Sequence, residues 1–513
     1  MKKLPIGIQT FSKLIEENYL YIDKTKYLYE FVTEGGYYFI SRPRRFGKSL
    51  MLSTLKELFR GNQELFKGLW IYDQITWEQH PVIMIDFNIV THDKNIEVFD
   101  RTLLNLLLNQ AKEYQISITE TDPKNVLQIL VTELAKQNKV VLLIDEYDKP
   151  IIDYLHKSEK AKENKEYLAS FYEAIKGLDQ HFKFVMLTGV TKFSKVSIFS
   201  KLNNLRDLTI SEEYAGMMGI EQTELEEYFA EGIKKAQAKY QDSEILTTIK
   251  KWYNGYSWDG KISVSNPFSI LNFFTELNFR NYWFETGTPT FLIENMRQHE
   301  YELANLEKSE VDEYLLSSYD IDQIEVTPLM FQSGYLTIKE KRFGYENAPV
   351  YSLSVPNYEV RQSLLSFVLA RYSGKETAKV KPPYLQMLDK LAQGKIEEFM
   401  TLLRSAYAMI PYNLYVDREA YYHSIFYLML ALLGAEIDVE VLTDKGRIDG
   451  VIQFAERIYV IEFKLGTAVE ALQQIKARRY WERYAGKKKE IYLLGVGGFQ
   501  EKEIEYLVEK LEM

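Results

Sequence analysis

Eight residues, Arg42-Pro43-Arg44-Arg45-Phe46-Gly47-Lys48-Ser49, constrain the fold of this chain more than any other segment. They lie between a β-forming apolar run, Tyr37-Tyr38-Phe39-Ile40, and a stretch from Leu50 to Leu58 whose apolar residues recur at helical spacing. A strand, a loop ending in Gly-Lys-Ser and a helix together make a phosphate cradle. Backbone N–H groups wrap the phosphates, the lysine neutralises charge, and the hydroxyl helps to hold magnesium. Gly47, Lys48 and Ser49 keep that chemistry, whereas Arg42 stands where the usual pattern opens with glycine. Arg44, Arg45 and Phe46 complete the candidate nucleotide-binding loop, since guanidinium groups match phosphate geometry. Arg44, Arg45 and the distant Arg206 are candidates to touch phosphate, and a solvated arginine accounts equally well for each.

Apolar runs at Tyr37–Ile40, Val82–Phe87, Val140–Ile144 and Phe184–Leu187 alternate with helical segments. That order predicts a parallel sheet with crossover helices, and such sheets present ligand groups at the carboxyl ends of their strands. The run from Val140 ends in Asp145-Glu146. Beside a phosphate loop, the pair predicts Asp145 and Ser49 as magnesium-holding groups and Glu146 as the residue that orients attacking water. Thr188, ending the next run, is the candidate γ-phosphate sensor, although threonine is also ordinary in strands.

With 513 residues the chain exceeds one core, and about two to four domains are expected. Its net charge of −10 argues against coating nucleic acid along the whole surface and leaves room for a local basic site. The absence of cysteine excludes disulfides, thiolate zinc sites and a thiol nucleophile, which fits a reducing compartment. No apolar stretch approaches the roughly 20 residues that span a bilayer, so the expectation is a cytoplasmic protein with no membrane partner. The predicted organisation is an α/β multidomain chain. A P-loop domain covers 1–220, and a helical and winged-helix-like region covers 221–373, with a hairpin-like aromatic insertion at Trp252–Gly260. A linker with helices follows over 374–412, and a last α/β domain over 413–513.

That last domain reads as a helix from Glu419 to Leu433, strands at Ile437–Leu442, Ile448–Phe454 and Ile458–Phe463, a helix from Val469 to Tyr484, and a strand at Glu490–Gly495. Residues two apart on a strand share a face, so Glu462 and Lys464 point together, and a hairpin brings Asp449 beside them. Two carboxylates then suit Mg²⁺ or Mn²⁺, with the Phe463 carbonyl as a further ligand, and the lysine orients water or meets charge developing on phosphate. Asp449, Glu462 and Lys464 are the candidate catalytic set. Glu419 and Glu440 are weaker candidates to extend the acidic cluster, and His423 a weaker substrate contact. Downstream, Gln474, Arg478, Arg479 and Tyr480 lie in a basic stretch with Lys476, Arg483 and Lys487–Lys489 that suits a nucleic acid. A solvated helix face stabilised by local charge pairs is the competing account.

Leu4-Pro5-Ile6-Gly7, Tyr21-Ile22-Asp23-Lys24-Thr25, the phosphate loop, Leu143-Ile144-Asp145-Glu146-Tyr147-Asp148, Leu187-Thr188-Gly189-Val190-Thr191 and Phe199–Leu205 resemble the AAA-ATPase-like family. Those are P-loop proteins related to STAND signalling ATPases, and they commonly carry a C-terminal PD-(D/E)xK nuclease domain. The resemblance extends through Trp283–Gly287 and Tyr335–Ile338, and a replaced first glycine is typical of the family. It implies ATP as ligand, with Gln9, Phe11 and Tyr21 near the adenine, and glutamine and tyrosine residues flanking the nuclease site at Gln473, Gln474 and Tyr480. The expected function is an ATP-regulated, metal-dependent nuclease acting on DNA or RNA. One alternative is a nucleotide-dependent signalling scaffold whose last domain binds nucleic acid without cutting it; another is an ATP-driven DNA remodeller. A homo-oligomer stays open, because an arginine completing the nucleotide site can come from another subunit.

Overall fold

The computed structural model describes residues 2–92, 95–155, 157–192, 204–283, 310–313, 316, 326–364, 385–408, 437–443, 446–487, 489–499 and 503–511. They form two compact units, one from the described residues up to Glu359 and one from those that follow.

The first unit is built on a five-stranded parallel sheet of β1 (Gly36–Ser41), β2 (Val82–Asp86), β3 (Val140–Asp145), β4 (Phe182–Gly189) and β5 (Arg206–Asp207), ordered β2-β3-β4-β1-β5. Every residue of β3 is buried, as its unbroken Val-Val-Leu-Leu-Ile run requires of a strand covered on both faces. The four predicted runs are the first four strands. β5 escaped prediction because two residues carry no periodicity. Pairing of Asp86 with Asp145 and of Ser41 with Gly189 sets the carboxyl ends of β1 to β4 close to level. Helix α1 (Lys48–Phe59) follows the loop, and α2 (Ile96–Glu113), α3 (Pro123–Leu134) and α4 (Ser158–Gly177) supply further helices between strands. Asn95 caps α2 through the Val98 N–H. Asp122 caps α3 through the Asn125 N–H, with Pro123 at its first position.

Beyond β5 come the short strand β6 (Ile220–Glu221), helices α5 (Gln222–Tyr228), α6 (Ala230–Tyr240) and α7 (Ile245–Tyr253), strand β7 (Val264–Ser265) and α8 (Pro267–Glu276). Their core is aromatic and aliphatic, with Phe229, Ile249, Tyr253, Ile270 and Phe273 all buried. The aromatic insertion is a closed turn. Tyr256 bridges Val264, and Asp259 Oδ1 accepts from the Lys261 and Ile262 N–H groups and the Ser257 hydroxyl. A three-stranded antiparallel sheet of β8 (Glu310–Asp312), β9 (Thr337–Phe343) and β10 (Pro349–Ser354), with α9 (Val326–Ser333) before β9, completes the unit.

The second unit contains helices α10 (Leu385–Ala392) and α11 (Ile396–Ala408) and a mixed sheet of β11 (Ile437–Thr443), β12 (Gly446–Gln453), β13 (Arg457–Phe463), β14 (Glu490–Gly497) and β15 (Glu505–Lys510), in that order. Only β13 and β14 pair in parallel, and α12 (Ala468–Arg478) connects them. Val451, Ile458, Val460, Ile475 and Leu493 form its core. Two differences from expectation stand out. The helix expected to reach Tyr484 ends at Arg478, because Arg479 takes a left-handed φ of 52° and a 3₁₀ segment, Tyr480–Lys487, follows. The final strand β15 was not foreseen, since its mostly exposed, charged face hides the alternation of a buried strand. The expected linker at 374–383, the helix over 419–433 with Glu419 and His423, and the segments Phe199–Asn203 and 284–287 lie outside the described residues.

Candidate functional site

At the carboxyl end of β1 the loop turns with φ of 70° at Arg45 and 95° at Gly47. Gly47 answers to backbone conformation and not to crowding, for a Cβ there would meet nothing within 4 Å. Lys48 is 4% exposed. Its Nζ donates to the Arg42 carbonyl (3.0 Å) and the Pro43 carbonyl (3.3 Å) and pairs with Glu146 Oε1 at 3.2 Å. The Ser49 hydroxyl donates to Asp145 Oδ2 at 2.5 Å, and the Thr188 hydroxyl to Asp145 Oδ1 at 2.6 Å. Three neighbouring strands thus bring Lys48, Ser49, Asp145, Glu146 and Thr188 together. Burial, reinforced by the adjacent Glu146 carboxylate, raises the Asp145 carboxyl above its usual range, and the two hydroxyls and Lys48 oppose that rise. Glu146 has a left-handed φ of 50°, a conformation that costs a non-glycine residue roughly 1–2 kcal/mol.

Just beyond, Asp148 is wholly buried. Its Oδ2 accepts from the Val190 N–H (3.0 Å), the Thr191 N–H (2.6 Å) and the Thr191 hydroxyl (2.9 Å), tying the end of β3 to the end of β4. A Cβ on Gly189 would lie 2.7 Å from Asp148 Oδ1 and 2.6 Å from the Tyr147 ring, so only glycine permits that approach. Burial first and Glu146 second push the Asp148 carboxyl up.

The remaining loop residues turn their side chains elsewhere. Arg44 lies 3.8 Å from Asp153, and the Arg45 guanidinium sits 4.8 Å from the Phe268 ring centroid. Phe46 is buried edge-on against Tyr256 and Trp258. Arg206 departs from the phosphate-contact expectation: it pairs with Glu30 (2.9 Å) and Glu213 (3.1 Å), because β5 directs it to that acidic cluster. Sequence reasoning missed what Arg42 does. It is fully buried against Trp258, and the available signal was an arginine in place of a small residue in a chain with an aromatic cluster at 252–258. A largely apolar cavity of about 130 Å³ adjoins Gly47, lined among others by Tyr21, Leu50, Met51, Thr54, Met218 and Gly219. Of the N-terminal residues expected near a base, Tyr21 lines this cavity, Phe11 packs behind it at 5.1 Å, and Gln9 is exposed.

In the second unit, antiparallel pairing of Gly450 with Ile461 sets Asp449 beside Glu462 across the β12–β13 ladder. Asp449 Oδ2 accepts from the Phe463 N–H at 2.9 Å, and Lys464 Nζ lies 3.6 Å from Glu462 Oε1. Glu462 is 1% exposed, and Gln474 of α12 donates its side-chain amide to Glu462 Oε1. That helix can lie so low because β14 carries Gly495, where a Cβ would come within 2.6 Å of the Ala468 carbonyl and the Leu472 nitrogen. Tyr480, turned inward after the break at Arg479, is buried, and burial first, then Glu462, raises its phenol pKa. Arg479 pairs with Glu482 at 2.5 Å and Lys476 with Glu509, so these two members of the basic stretch have acidic partners. Arg478 ends α12, and Glu440 falls on β11.

The donor sets fit hard divalent cations. A serine hydroxyl and a carboxylate meet at Ser49 and Asp145, and two carboxylates flank the Phe463 backbone. Among the described residues no group of three His, Cys, Asp or Glu side chains gathers as a metal site, and no helix is long and apolar enough to cross a membrane.

Comparison with known families agrees with this division. The model described as "Predicted AAA-ATPase" matches residues 5–199, and that of the PD-(D/E)XK nuclease superfamily matches residues 417–508. The chain is also similar to the "Uncharacterized protein in vnfD 5'region" of Azotobacter chroococcum mcd 1, at 40% identity over 510 residues, covering 96% of each chain.

Proposed function

We infer, since this chain belongs to the AAA-ATPase-like family that carries a C-terminal PD-(D/E)XK nuclease superfamily domain, that it is an ATP-regulated, metal-dependent nuclease acting on DNA or RNA. The observation that carries the reading is the meeting of Asp449 and Glu462 from adjacent antiparallel strands with Lys464 3.6 Å from Glu462. Two carboxylates and one ammonium leave local negative charge for a divalent cation and one cationic donor for a phosphodiester oxygen. In this reading Asp449, Glu462 and the Phe463 carbonyl would hold Mg²⁺ or Mn²⁺, which when bound would supply water activation and polarisation of the phosphoryl group. Lys464 meets charge developing on the phosphate, and Gln474 keeps the Glu462 carboxylate in place. In the first unit, Lys48 and the loop N–H groups take the phosphates of ATP. Ser49 and Asp145 would hold Mg²⁺, Glu146 would orient water, and Thr188 fixes the Asp145 carboxylate. The STAND-type role follows as regulation, with nucleotide state governing cleavage.

The test is cleavage of single- and double-stranded DNA and RNA by the full chain with Mg²⁺ or Mn²⁺, in the presence of ATP, a non-hydrolysable analogue or neither. Cleavage lost in both Asp449→Ala and Lys464→Ala, and dependent on nucleotide only while Lys48 is intact, is the expected result. No cleavage of any substrate by the wild-type chain, with Asp449→Ala keeping full cellular effect, overturns it. The second reading, a nucleotide-dependent scaffold that binds without cutting, draws on the burial of Glu462 under Gln474, an arrangement that also suits a purely structural carboxylate. It predicts that Lys48→Ala abolishes the cellular effect while Asp449→Ala does not.

A further inference from the structure

A guanidinium is rarely buried without cause, and Arg42 is buried completely. Its Nη1 donates to the Ser41 carbonyl (2.9 Å) and the Thr209 carbonyl (2.7 Å), and Nη2 to the Tyr214 carbonyl (3.5 Å). Its Cζ lies over the Trp258 ring, 4.0 Å from the centroid. The arrangement has a cost, since Nε has no hydrogen-bond partner and burial pulls the pKa down to about 9 against the pull of Asp207 and Asp259. The backbone of the same residue works on the other side of the loop: its N–H donates to the Gly189 carbonyl at 3.1 Å, and its carbonyl accepts from Lys48 Nζ at 3.0 Å. Three further points of the loop are held by separate residues that follow β5 in the chain. Phe46 lies edge-on to Trp258, the Trp283 indole donates to the Arg44 carbonyl (3.2 Å), and Pro43 packs where a Cβ on Gly334 would reach it at 2.7 Å.

We propose that Arg42 is a positioning residue for the phosphate site: by fastening the loop to Trp258 it places its own carbonyl, and so Lys48 Nζ, to receive the polyphosphate of a nucleoside triphosphate. The turn around Trp258 is then the element whose position sets how tightly the loop holds phosphate, and by linkage the bound nucleotide acts back on that turn. The inference rests on the nucleotide reading above.

The experiment is equilibrium binding of a non-hydrolysable ATP analogue and, separately, of AMP to the full chain, with thermal melting of every variant. Lysine lacks the guanidinium fork that reaches three carbonyls and sits over the indole. Arg42→Lys and Trp258→Leu are therefore each expected to weaken the analogue about tenfold or more, to leave AMP within about twofold, and to keep cooperative melting. The double variant is expected to bind no more weakly than the poorer single variant, because both break one device. Trp258→Phe keeps a ring under the guanidinium and is expected to retain most of the affinity, which keeps the inference testable should Arg42→Lys fail to fold. Unchanged analogue binding in Trp258→Leu, a parallel loss of analogue and AMP, or Trp258→Phe as weak as Trp258→Leu overturns the inference alone. A wild-type chain that binds neither probe overturns the nucleotide reading and the inference together.

Discussion

The phosphate loop and the β12–β13 carboxylate pair both place two acids and one lysine where phosphate chemistry is expected, but hold them differently. Around the loop, Lys48 is matched by Glu146, and both oxygens of Asp145 accept hydroxyl hydrogens. In the proposed reading an arriving polyphosphate competes with Glu146 for the lysine. In the second unit two carboxylates face one lysine, and the groups holding them in place, the Phe463 N–H and the Gln474 amide, are neutral. Such a site gains from a cation. The contrast teaches that clusters with the same charge count differ in what holds them: two side-chain hydroxyls occupy Asp145, whereas a backbone N–H and an amide hold Asp449 and Glu462, whose acidic surplus suits a divalent metal.

The severest way to break the comparison is to remove that surplus. Asp449→Asn retains the size and the bond from the Phe463 N–H while deleting one of two charges. Several kcal/mol of metal-derived stabilisation, at 1.36 kcal/mol per factor of ten, puts the loss of cleavage at about a thousandfold or more. Wild-type cleavage rates in this variant, measured at saturating Mn²⁺, would leave the second unit without a metal-dependent role.

At the loop, Glu146→Gln sharpens the comparison because turnover and binding should move in opposite directions. ATP hydrolysis is expected to fall about a hundredfold as the carboxylate proposed to orient water is lost. Affinity for a non-hydrolysable analogue should rise by about threefold to tenfold, since Lys48 no longer has a carboxylate 3.2 Å away. Weaker analogue binding shows that the ion pair helps, and does not compete with, the phosphate.

The same contrast explains what was legible in sequence. Gly47-Lys48-Ser49 and Asp145-Glu146 are contiguous strings whose chemistry is local, and strands β1 to β4 announce themselves as apolar runs. Asp449, Glu462 and Lys464 could be named because a period of two and one hairpin suffice to bring them together. Gln474 needed more: its hold on Glu462 depends on how low α12 lies, which Gly495 decides, and no spacing within α12 shows that. Arg42 and Arg206 were illegible for the same reason. A guanidinium's partner is chosen by tertiary packing, so one arginine goes to buried carbonyls and the indole of Trp258, and the other to Glu30 and Glu213. The break at Arg479 was missed because helical periodicity continues through it, while the left-handed residue that ends α12 is not a glycine.

Gln474 is therefore the next place to press. Groups that orient a metal-binding carboxylate are typically worth about 10- to 100-fold in metal affinity or activity. Gln474→Ala is expected to raise the Mn²⁺ concentration needed for half-maximal cleavage within that range and to leave the melting temperature nearly unchanged. An equal loss at all metal concentrations assigns Gln474 to substrate instead of to Glu462.

The smallest effect belongs to Asp148, a third carboxyl near the loop, and its sign follows from burial. The folded chain raises this carboxyl to about 7, through burial and then Glu146, while an unfolded chain leaves an aspartate near about 3.9. Between those values the folded state binds the extra proton. Stability associated with Asp148 is thus fully present below about pH 4 and is lost as pH rises toward 7. Asp148→Asn keeps a carbonyl oxygen for the Val190 and Thr191 donors and removes the titration. Its melting temperature relative to wild type should climb across that window by several degrees, at about 2–4 °C per kcal/mol, and then level off. A difference that stays flat from pH 4 to 8 means that the proton is not taken up there, and that the charge near the loop is balanced more fully than Lys48 and Glu146 alone suggest.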